Sequence, residues 1–234
     1  MTETLVRDNL AGIQERIARA AARAGRGTAE ITLIGVSKTH PASAIREAYE
    51  AGVRQFGENR VQEWEAKRAG TEGLAASWHL IGHLQSNKTA RAARLFHSVD
   101  SVDDFAIAQR LDRARAEAGI SGKLRVLIEV RIAPEETKSG TEIAVLPALA
   151  EKIAELPRLK LAGLMCIPPF LEDAEKVRPY FRRLREVRDS LAREIGRELP
   201  VLSMGMSHDF EVAIEEGATE VRVGTAIFGS RPAK

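Results

Sequence analysis

The stretch that decides the fold is ITLIGVSK, residues 31–38, an apolar run that ends on a lysine. The run predicts a buried strand over 31–37, and Pro41 favours the start of a helix over 42–51. Lys38 therefore lies at the carboxyl end of a predicted strand. A lysine amine partly removed from water there can lose its proton near neutral pH and attack a carbonyl group, forming a Schiff base. Its position alone is equally compatible with a solvated loop lysine.

Similar apolar runs recur along the chain, each followed by a helix-like or loop segment. Besides 31–37 they lie at 53–56, 78–81, 95–99, 124–130, 159–165, 201–204 and 219–223. Strands that alternate with helices in this way predict an α/β protein with a parallel sheet. We expect a closed (β/α)8 TIM barrel. The alternative is an open doubly wound sheet, but the chain has neither a G-x-G-x-x-G motif that opens an early helix nor a P-loop.

The barrel is predicted to be a single domain over residues 1–234, because no low-complexity linker divides the chain. Residues 1–25 precede the first strand. Their apolar residues follow helical spacing, and Gly25 is well placed to end the helix. We expect this extra helix to dock on the barrel.

Composition limits the classes of protein that fit. The apolar fraction of 44% supports a substantial core, and the formal net charge of +2 gives no strong field for nucleic acid or membranes. The single cysteine, Cys166, excludes an internal disulfide and lies in an apolar run, which favours a packed thiol over a nucleophile. Neither a signal peptide nor a long apolar span is visible. We expect a cytoplasmic protein that binds neither nucleic acid nor membranes.

A helix predicted over 175–198 is rich in arginine, a feature that could indicate a phosphate or RNA surface. Acidic residues are interleaved, and Arg182 with Glu186 and Arg185 with Asp189 have the i,i+4 spacing of ion pairs. No aromatic stacking platform accompanies the arginines. The pattern favours a solvated face of ion pairs.

Two turns of small residues follow the last two predicted strands: SMGMS at 203–207 and GTAIFGS at 224–230. In many barrels the loops after strands seven and eight bind phosphate, since glycine lets backbone N–H groups approach the oxygens. The hydroxyls of Ser207 and Thr225 would add donors. The glycines could instead serve only tight turns and helix packing, but two such loops after adjacent strands favour a phosphate site.

Lys38 and this phosphate site would share one face, since strand eight of a barrel closes beside strand one. A lysine that can form a Schiff base with an aldehyde, next to a site for phosphate, indicates that the ligand is pyridoxal 5'-phosphate. Arg222 lies between Val221 and Val223 and would point into the barrel, where it could bond the pyridine nitrogen. A structural ion pair, for instance with Glu58, is an equally good interpretation.

Two histidines and other polar residues fall near further strand ends. His79 has apolar neighbours and is predicted to be a hydrogen-bonded core histidine rather than a catalytic group. The spacing of His79 and His83, without a carboxylate or cysteine cluster, does not predict a metal site. Asn59 and Lys88 lie at the ends of two predicted strands.

Five motifs in order resemble the pyridoxal phosphate homeostasis protein family. They are GVSKT at 35–39, FGEN at 56–59, WHLIGHLQSNK at 78–88, SMGMS at 203–207 and VRVGTAIFG at 221–229. The resemblance covers nearly the whole chain and implies a fold like the barrel domain of alanine racemase, with Lys38 as the Schiff-base lysine. It also implies a set of pocket residues: phosphate contacts from Ser207, Gly224 and Thr225, Arg222 near the pyridine nitrogen, and Asn59 and Met204 in the pocket lining. Arg60 and His208 depart from the family pattern at the pocket rim.

The resemblance implies a carrier of pyridoxal phosphate that limits the free aldehyde and supplies apoenzymes. A racemase needs acid/base groups on both faces of the cofactor, and only Lys38 is evident. An arginine at the pyridine nitrogen also weakens the electron sink that carbanion chemistry uses. The alternatives are an inefficient racemase or decarboxylase and a cofactor-free Schiff-base aldolase. We expect a monomer, because alanine racemase uses a second domain for its dimer.

Overall fold

The computed structural model describes residues 2–133 and 139–229, in which eight parallel strands form a closed barrel in chain order. The strands are β1 (Thr32–Val36), β2 (Gln55–Glu58), β3 (Ser77–Leu80), β4 (Ser98–Val102), β5 (Leu124–Glu129), β6 (Leu159–Met165), β7 (Val201–Met206) and β8 (Glu220–Val223). β8 pairs with β1, with Arg222 beside Ile34. The predicted (β/α)8 barrel is therefore confirmed.

The helices of the described chain surround the barrel. They are α1 (Thr2–Arg23), α2 (Ala42–Glu50), α3 (Val61–Arg68), α4 (Thr89–Leu95), α5 (Phe105–Glu117), α6 (Leu146–Ala154), α7 (Arg178–Glu194), α8 (Phe210–Glu215) and α9 (Thr225–Phe228). Short 3-10 turns lie at Thr28–Glu30, Ala69–Thr71, Ser86–Lys88, Ile143–Val145 and Ala174–Val177. None of the described helices is long and apolar enough to cross a membrane.

The helix α1 docks on the barrel through an apolar stripe, as its spacing predicts. Its buried side chains are Val6, Leu10, Ile13, Ile17, Ala20 and Ala21. Gly25 ends the helix with a φ of 66°, and the N–H of Arg26 donates to the Ala21 oxygen at 2.9 Å. The Arg26 guanidinium then donates to the carbonyls of Ile214 and Ala218. The helix is thereby joined to α8 and the start of β8.

The barrel interior holds a buried charged network. Arg125 on β5 donates to Glu220 on β8 at 2.8 Å, and His79 on β3 bonds Asp100 on β4 at 2.9 Å. Gln55 bonds the other ring nitrogen of His79 at 3.0 Å. His79 is 3% exposed, so the prediction of a hydrogen-bonded core histidine is confirmed.

Several element boundaries differ from the predictions, and three of them serve as examples. The strand predicted from residue 95 begins at Ser98, because Leu95 ends α4. The strand predicted to end at 204 continues to Met206. The helix predicted over 175–198 is α7, preceded by a 3-10 turn. In each case tertiary packing sets the end of the element, and the apolar pattern locates only its centre.

The partners of the arginines on α7 also differ from the i,i+4 prediction. Arg178, Arg182 and Arg185 all reach Glu216, which follows α8, at 3.2, 3.0 and 3.3 Å. Glu216 is buried, and the positive charges around it offset the cost of removing its carboxylate from water. These arginines join two helices and are not only a solvated face.

Candidate functional site

A cavity of about 620 Å³ opens at the carboxyl ends of the strands. Its lining includes Lys38, Asn59, Ser207, Arg222, Gly224 and Thr225, six residues that the sequence assigned to one site. They come from β1, β2, β7, β8 and the segments that follow these strands. Parallel strands bring their carboxyl ends together at one face of a barrel, which explains why residues so distant in sequence meet.

The backbone on both sides of Lys38 is held by side chains from elsewhere. The carbonyl of Ser37 accepts a hydrogen bond from the Lys67 ammonium at 2.9 Å, and the N–H of Thr39 donates to the Glu63 carboxylate. Thr39 has a φ of 67°, and it is the one non-glycine residue with a positive φ in the described ranges. Such a conformation persists only where its surroundings enforce it. Protein contacts therefore hold the backbone on both sides of Lys38.

These contacts belong to a buried ion cluster formed by Ser37, Glu58, Glu63 and Lys67. The Ser37 hydroxyl donates to Glu58 at 2.6 Å, and Lys67 lies 3.1 Å from Glu58 and 2.8 Å from Glu63. Burial raises the pKa of Glu58, although Ser37 and Lys67 act in the other direction. Burial alone would also raise the pKa of Glu63, but hydrogen bonds from Lys67 and Thr39 lower it.

The two loops that are predicted to bind phosphate, after β7 and β8, meet at Ser207. Its hydroxyl oxygen accepts hydrogen bonds from the backbone N–H groups of Gly224 at 3.3 Å and Ala226 at 3.5 Å. A Cβ atom at Gly224 would lie 3.1 Å from the Val36 oxygen, a tight contact, so glycine suits the close packing of this loop against β1. Behind the loop, Asn9 donates to the Ile227 carbonyl at 3.0 Å. The loop is thus anchored from β1 and from α1.

The turn predicted at 203–207 is shorter than the sequence indicated. Residues 203–206 still belong to β7, and the turn begins at Ser207. Gly205 has a φ of 90°, and the β7–β8 register shifts between Ser203 and Met206. Gly205 therefore lies at a local irregularity near the end of β7.

Met204 and Met206 have different surroundings at the end of β7. Met204 is fully buried in the main apolar core and does not line the cavity, whereas Met206 does. In a regular strand, residues 204 and 206 would face the same side. The shift at Gly205 breaks that alternation and turns Met206 toward the cavity.

Arg222 points into the barrel, as its apolar neighbours predicted, and is 3% exposed. Its guanidinium donates to the Ser203 hydroxyl and to the Cys166 carbonyl, both at 2.8 Å. The alternative partner, Glu58, is instead bonded by Lys67. The guanidinium is therefore fixed at the floor of the cavity by two acceptors.

The cavity contains further residues that the sequence analysis did not single out. Glu129, at the end of β5, is buried, and it accepts a hydrogen bond from Ser139 at 3.0 Å. Burial raises its pKa. The position of a lone acid at the end of the apolar run 124–130 is the signal that could have revealed it. His40, Ile167 and Phe170 also line the cavity, as does His208, which the sequence analysis placed at the pocket rim.

His83 and Asn59 form the boundary of the cavity on the β2–β3 side. His83 lies 3.2 Å from Asp103. A Cβ atom at Gly82 would lie 2.5 Å from the Asn59 oxygen, so the loops after β2 and β3 are in close contact there. Gly82 in turn accepts a hydrogen bond from Ser101 at 2.7 Å.

His79, Asp100 and Glu220 are a second group of interest, because one ligand atom from each lies within 4.8 Å of the others. Arg125 lies among them, 2.8 Å from Glu220 and 3.5 Å from Asp100. A protein cation therefore already balances these carboxylates. The sequence did not reveal this group, since its members come from three strands.

The described chain is a closed barrel of eight parallel strands, with Lys38 after β1 and a loop of small residues after β8. The family described as "Alanine racemase, N-terminal domain" matches residues 9–232. An alanine racemase of Clostridium difficile 630 has the same fold, with a TM-score of 0.75 and 14% identity over 99% of this chain and 58% of the racemase.

Closer relatives narrow this class to one family. The chain is 49% identical to the pyridoxal phosphate homeostasis protein of Aquifex aeolicus (strain VF5), covering 96% of this chain and 97% of that protein. It is 48% identical to the Escherichia coli (strain K12) protein of the same name, over 95% of each chain. The structure of PipY from Synechococcus elongatus PCC7942 with PLP bound has a TM-score of 0.85 and 39% identity, covering 96% of this chain and 100% of that one. The chain belongs to the pyridoxal phosphate homeostasis protein family.

Proposed function

We propose that this protein binds pyridoxal 5'-phosphate covalently at Lys38 and acts in the homeostasis of this cofactor, holding the reactive aldehyde and releasing it to apoenzymes. The observation that carries the proposal is the meeting of Lys38, the Ser207–Gly224 loop contact and the buried Arg222 around one cavity. When bound, the cofactor supplies an aldehyde that forms a Schiff base with an amine.

Lys38 would provide that amine. Its backbone is fixed by Lys67 on one side and Glu63 on the other, so the side chain enters the cavity from a rigid base. A preorganised group reacts with less loss of conformational freedom than a flexible one.

The loops after β7 and β8 would hold the phosphate. The N–H groups of Gly224 and Ala226 already point at the Ser207 hydroxyl oxygen, and a phosphate oxygen is a stronger acceptor of the same kind. Thr225 would add a hydroxyl at the start of α9. Charge-assisted hydrogen bonds of this kind suit a phosphate and fix the orientation of the ring.

Arg222 would face the pyridine nitrogen, and Asn59 would line the ring. A guanidinium donates hydrogen bonds and keeps its proton, so it favours a neutral ring nitrogen. A neutral ring is a weak electron sink for carbanions. This argues for a carrier rather than an amino-acid enzyme, as does the name of relatives that match this chain over nearly their whole length.

The proposal is tested by titrating the purified protein with pyridoxal phosphate and recording the absorbance near ~420 nm, where Schiff bases of this cofactor absorb. We expect a saturable band that decays when an apoenzyme is added, with a matching gain of activity in that enzyme. A protein that stays colourless would contradict binding. Inversion of an amino acid at a rate that falls on Lys38→Ala replacement would favour a racemase over a carrier.

We also propose that the protein acts as a monomer in the cytoplasm. Sedimentation equilibrium of the loaded protein measures the oligomeric state directly, and a stable dimer would contradict this part of the proposal.

A further inference from the structure

A second cavity lies beside the first, between the loops that follow β2 and β3. Its volume is about 620 Å³. The lining residues are Asn59, Arg60, Val61, Gln62, Leu80, Gly82, His83, Leu84, Gln85 and Lys88. Asn59, Gly82 and His83 also line the cavity of Lys38. The loops that meet at Asn59 and Gly82 therefore form a wall that the two cavities share.

The charge of this second cavity is positive. Arg60 and Lys88 are permanent cations, and the residues that line the cavity include no carboxylate. Among the described residues neither Arg60 nor Lys88 enters a salt bridge, whereas most arginines of α7 do. Arg60 interacts electrostatically with Glu63 on α3, but Glu63 is not among the residues that line the cavity, and the lining carries a net positive charge that attracts an anion from solution.

The neutral lining of the cavity also suits an anion. Asn59, Gln62 and Gln85 carry side-chain amides that can donate. The helix α3 begins at Val61 in the same wall, and no side chain caps its first N–H groups. A helix start adds positive potential to that of the two cations. Lys88 is half-buried, which reduces the screening of its charge by water.

We propose that this second cavity binds the phosphate group of a small phosphate monoester, next to but separate from the site of Lys38. Two permanent cations match the charge of a phosphate dianion better than that of a single carboxylate. The phosphate could come from a second vitamin B6 phosphate or from another small metabolite. The phosphate group of either compound would make the same contacts with Arg60 and Lys88.

The test begins with protein whose Lys38 site is filled by pyridoxal phosphate and reduced with borohydride, so that only the second cavity is open. Titration calorimetry with inorganic phosphate should show one further binding event. The double replacement Arg60→Gln and Lys88→Gln should weaken it by about tenfold or more, since charged hydrogen bonds are lost. The matched control, Arg110→Gln with Arg113→Gln on α5, makes the same change in net charge and should bind as the parent protein does.

Equal weakening in both double variants would show an effect of net charge alone and would overturn the proposal, as would no binding at all. Acetate that binds as tightly as phosphate would also overturn it, because the site would then select any anion. Pyridoxine 5'-phosphate and glucose 6-phosphate distinguish the two sources. Preference for the first supports a vitamin B6 phosphate, and equal binding supports phosphate esters in general.

The same titration on the Lys38→Ala protein separates this inference from the proposed function. We expect the phosphate affinity that depends on Arg60 and Lys88 to remain there. If Lys38 proves unreactive, the second site can still be confirmed. If the charge-dependent binding is absent, the function proposed for Lys38 is unaffected.

Discussion

The side-chain nitrogen of Lys67 lies 2.9 Å from the carbonyl oxygen of Ser37, the residue directly before Lys38. The same nitrogen contacts Glu58 and Glu63, and Glu63 accepts from the residue directly after Lys38. One partly buried ammonium thus connects both flanks of the lysine to α3. The position of Lys38 is a property of this ion cluster as much as of β1.

Replacing Lys67 with methionine should destabilise the fold strongly. Glu58 is fully buried, and the loss of its cation leaves a buried carboxylate without compensation, a change that costs about 3–5 kcal/mol. Urea denaturation measures the free energy of unfolding. Lys123→Met, at an exposed lysine, is the control and should stay within about 0.5 kcal/mol of the parent.

The double replacement Glu58→Gln with Lys67→Met should recover much of that loss, because the uncompensated charge is gone. A single Lys67→Met variant as stable as the parent would show that the cluster does not hold the loop.

The hydroxyl of Ser207 should contribute to affinity only when the ligand carries a phosphate. Ser207→Ala is expected to weaken pyridoxal phosphate binding by about tenfold or more, the loss of one hydrogen bond to a charged group. Binding of pyridoxal, which lacks the phosphate, should not change. Ser190→Ala on the exposed face of α7 serves as the control, and both affinities come from absorbance titrations. An equal loss for pyridoxal would place Ser207 at the ring instead.

Glu129 should make stability depend on pH. Burial raises its pKa in the folded protein above the ordinary value of 4.5, so the folded state binds the proton more tightly than the unfolded state. This contribution to stability is fully present below pH 4.5 and is lost as the pH rises through the folded pKa. The amide side chain introduced by Glu129→Gln has no ionisable group, so this variant lacks the contribution.

The stability of Glu129→Gln relative to the parent should therefore increase between pH 4.5 and neutral pH. Urea midpoints at both pH values test this. A constant difference between the two proteins would show that Glu129 has no raised pKa.

Cys166 should be inert while the protein is folded. The thiol is fully buried, and burial raises its pKa to about 12, so only a very small fraction is thiolate at mildly alkaline pH. Iodoacetamide should label the urea-unfolded chain and leave the folded chain unmodified, as mass spectrometry would show. Rapid labelling of the folded protein would contradict a packed core thiol.

Much of the fold could be predicted because eight apolar runs have the length and spacing of buried strands. Lys38, Ser207 and Arg222 could be placed together because closure of a barrel brings β8 beside β1, independently of the conformation of the loops. The N-terminal helix was equally accessible, since its stripe and Gly25 are local signals. These inferences depend on periodicity and topology alone.

The remainder depends on tertiary detail that no local pattern encodes. Met206 lines the cavity at a point where Gly205 has a positive φ and the register between β7 and β8 shifts. The pairing of Arg125 with Glu220 joins strands on different sides of the barrel, 95 residues apart. Lys67 was not predicted as a neighbour of Lys38, because a helical lysine gives no sign of which strand it reaches.

The central claim is that Lys38 is the residue that binds pyridoxal phosphate. The most direct measurement is peptide mapping by mass spectrometry after borohydride reduction of the loaded protein. Our account predicts one stable label on the peptide that contains Lys38, absent from Lys38→Ala and retained in Lys88→Gln. A label of equal yield in Lys38→Ala, or a label located on another lysine of the parent protein, would contradict it.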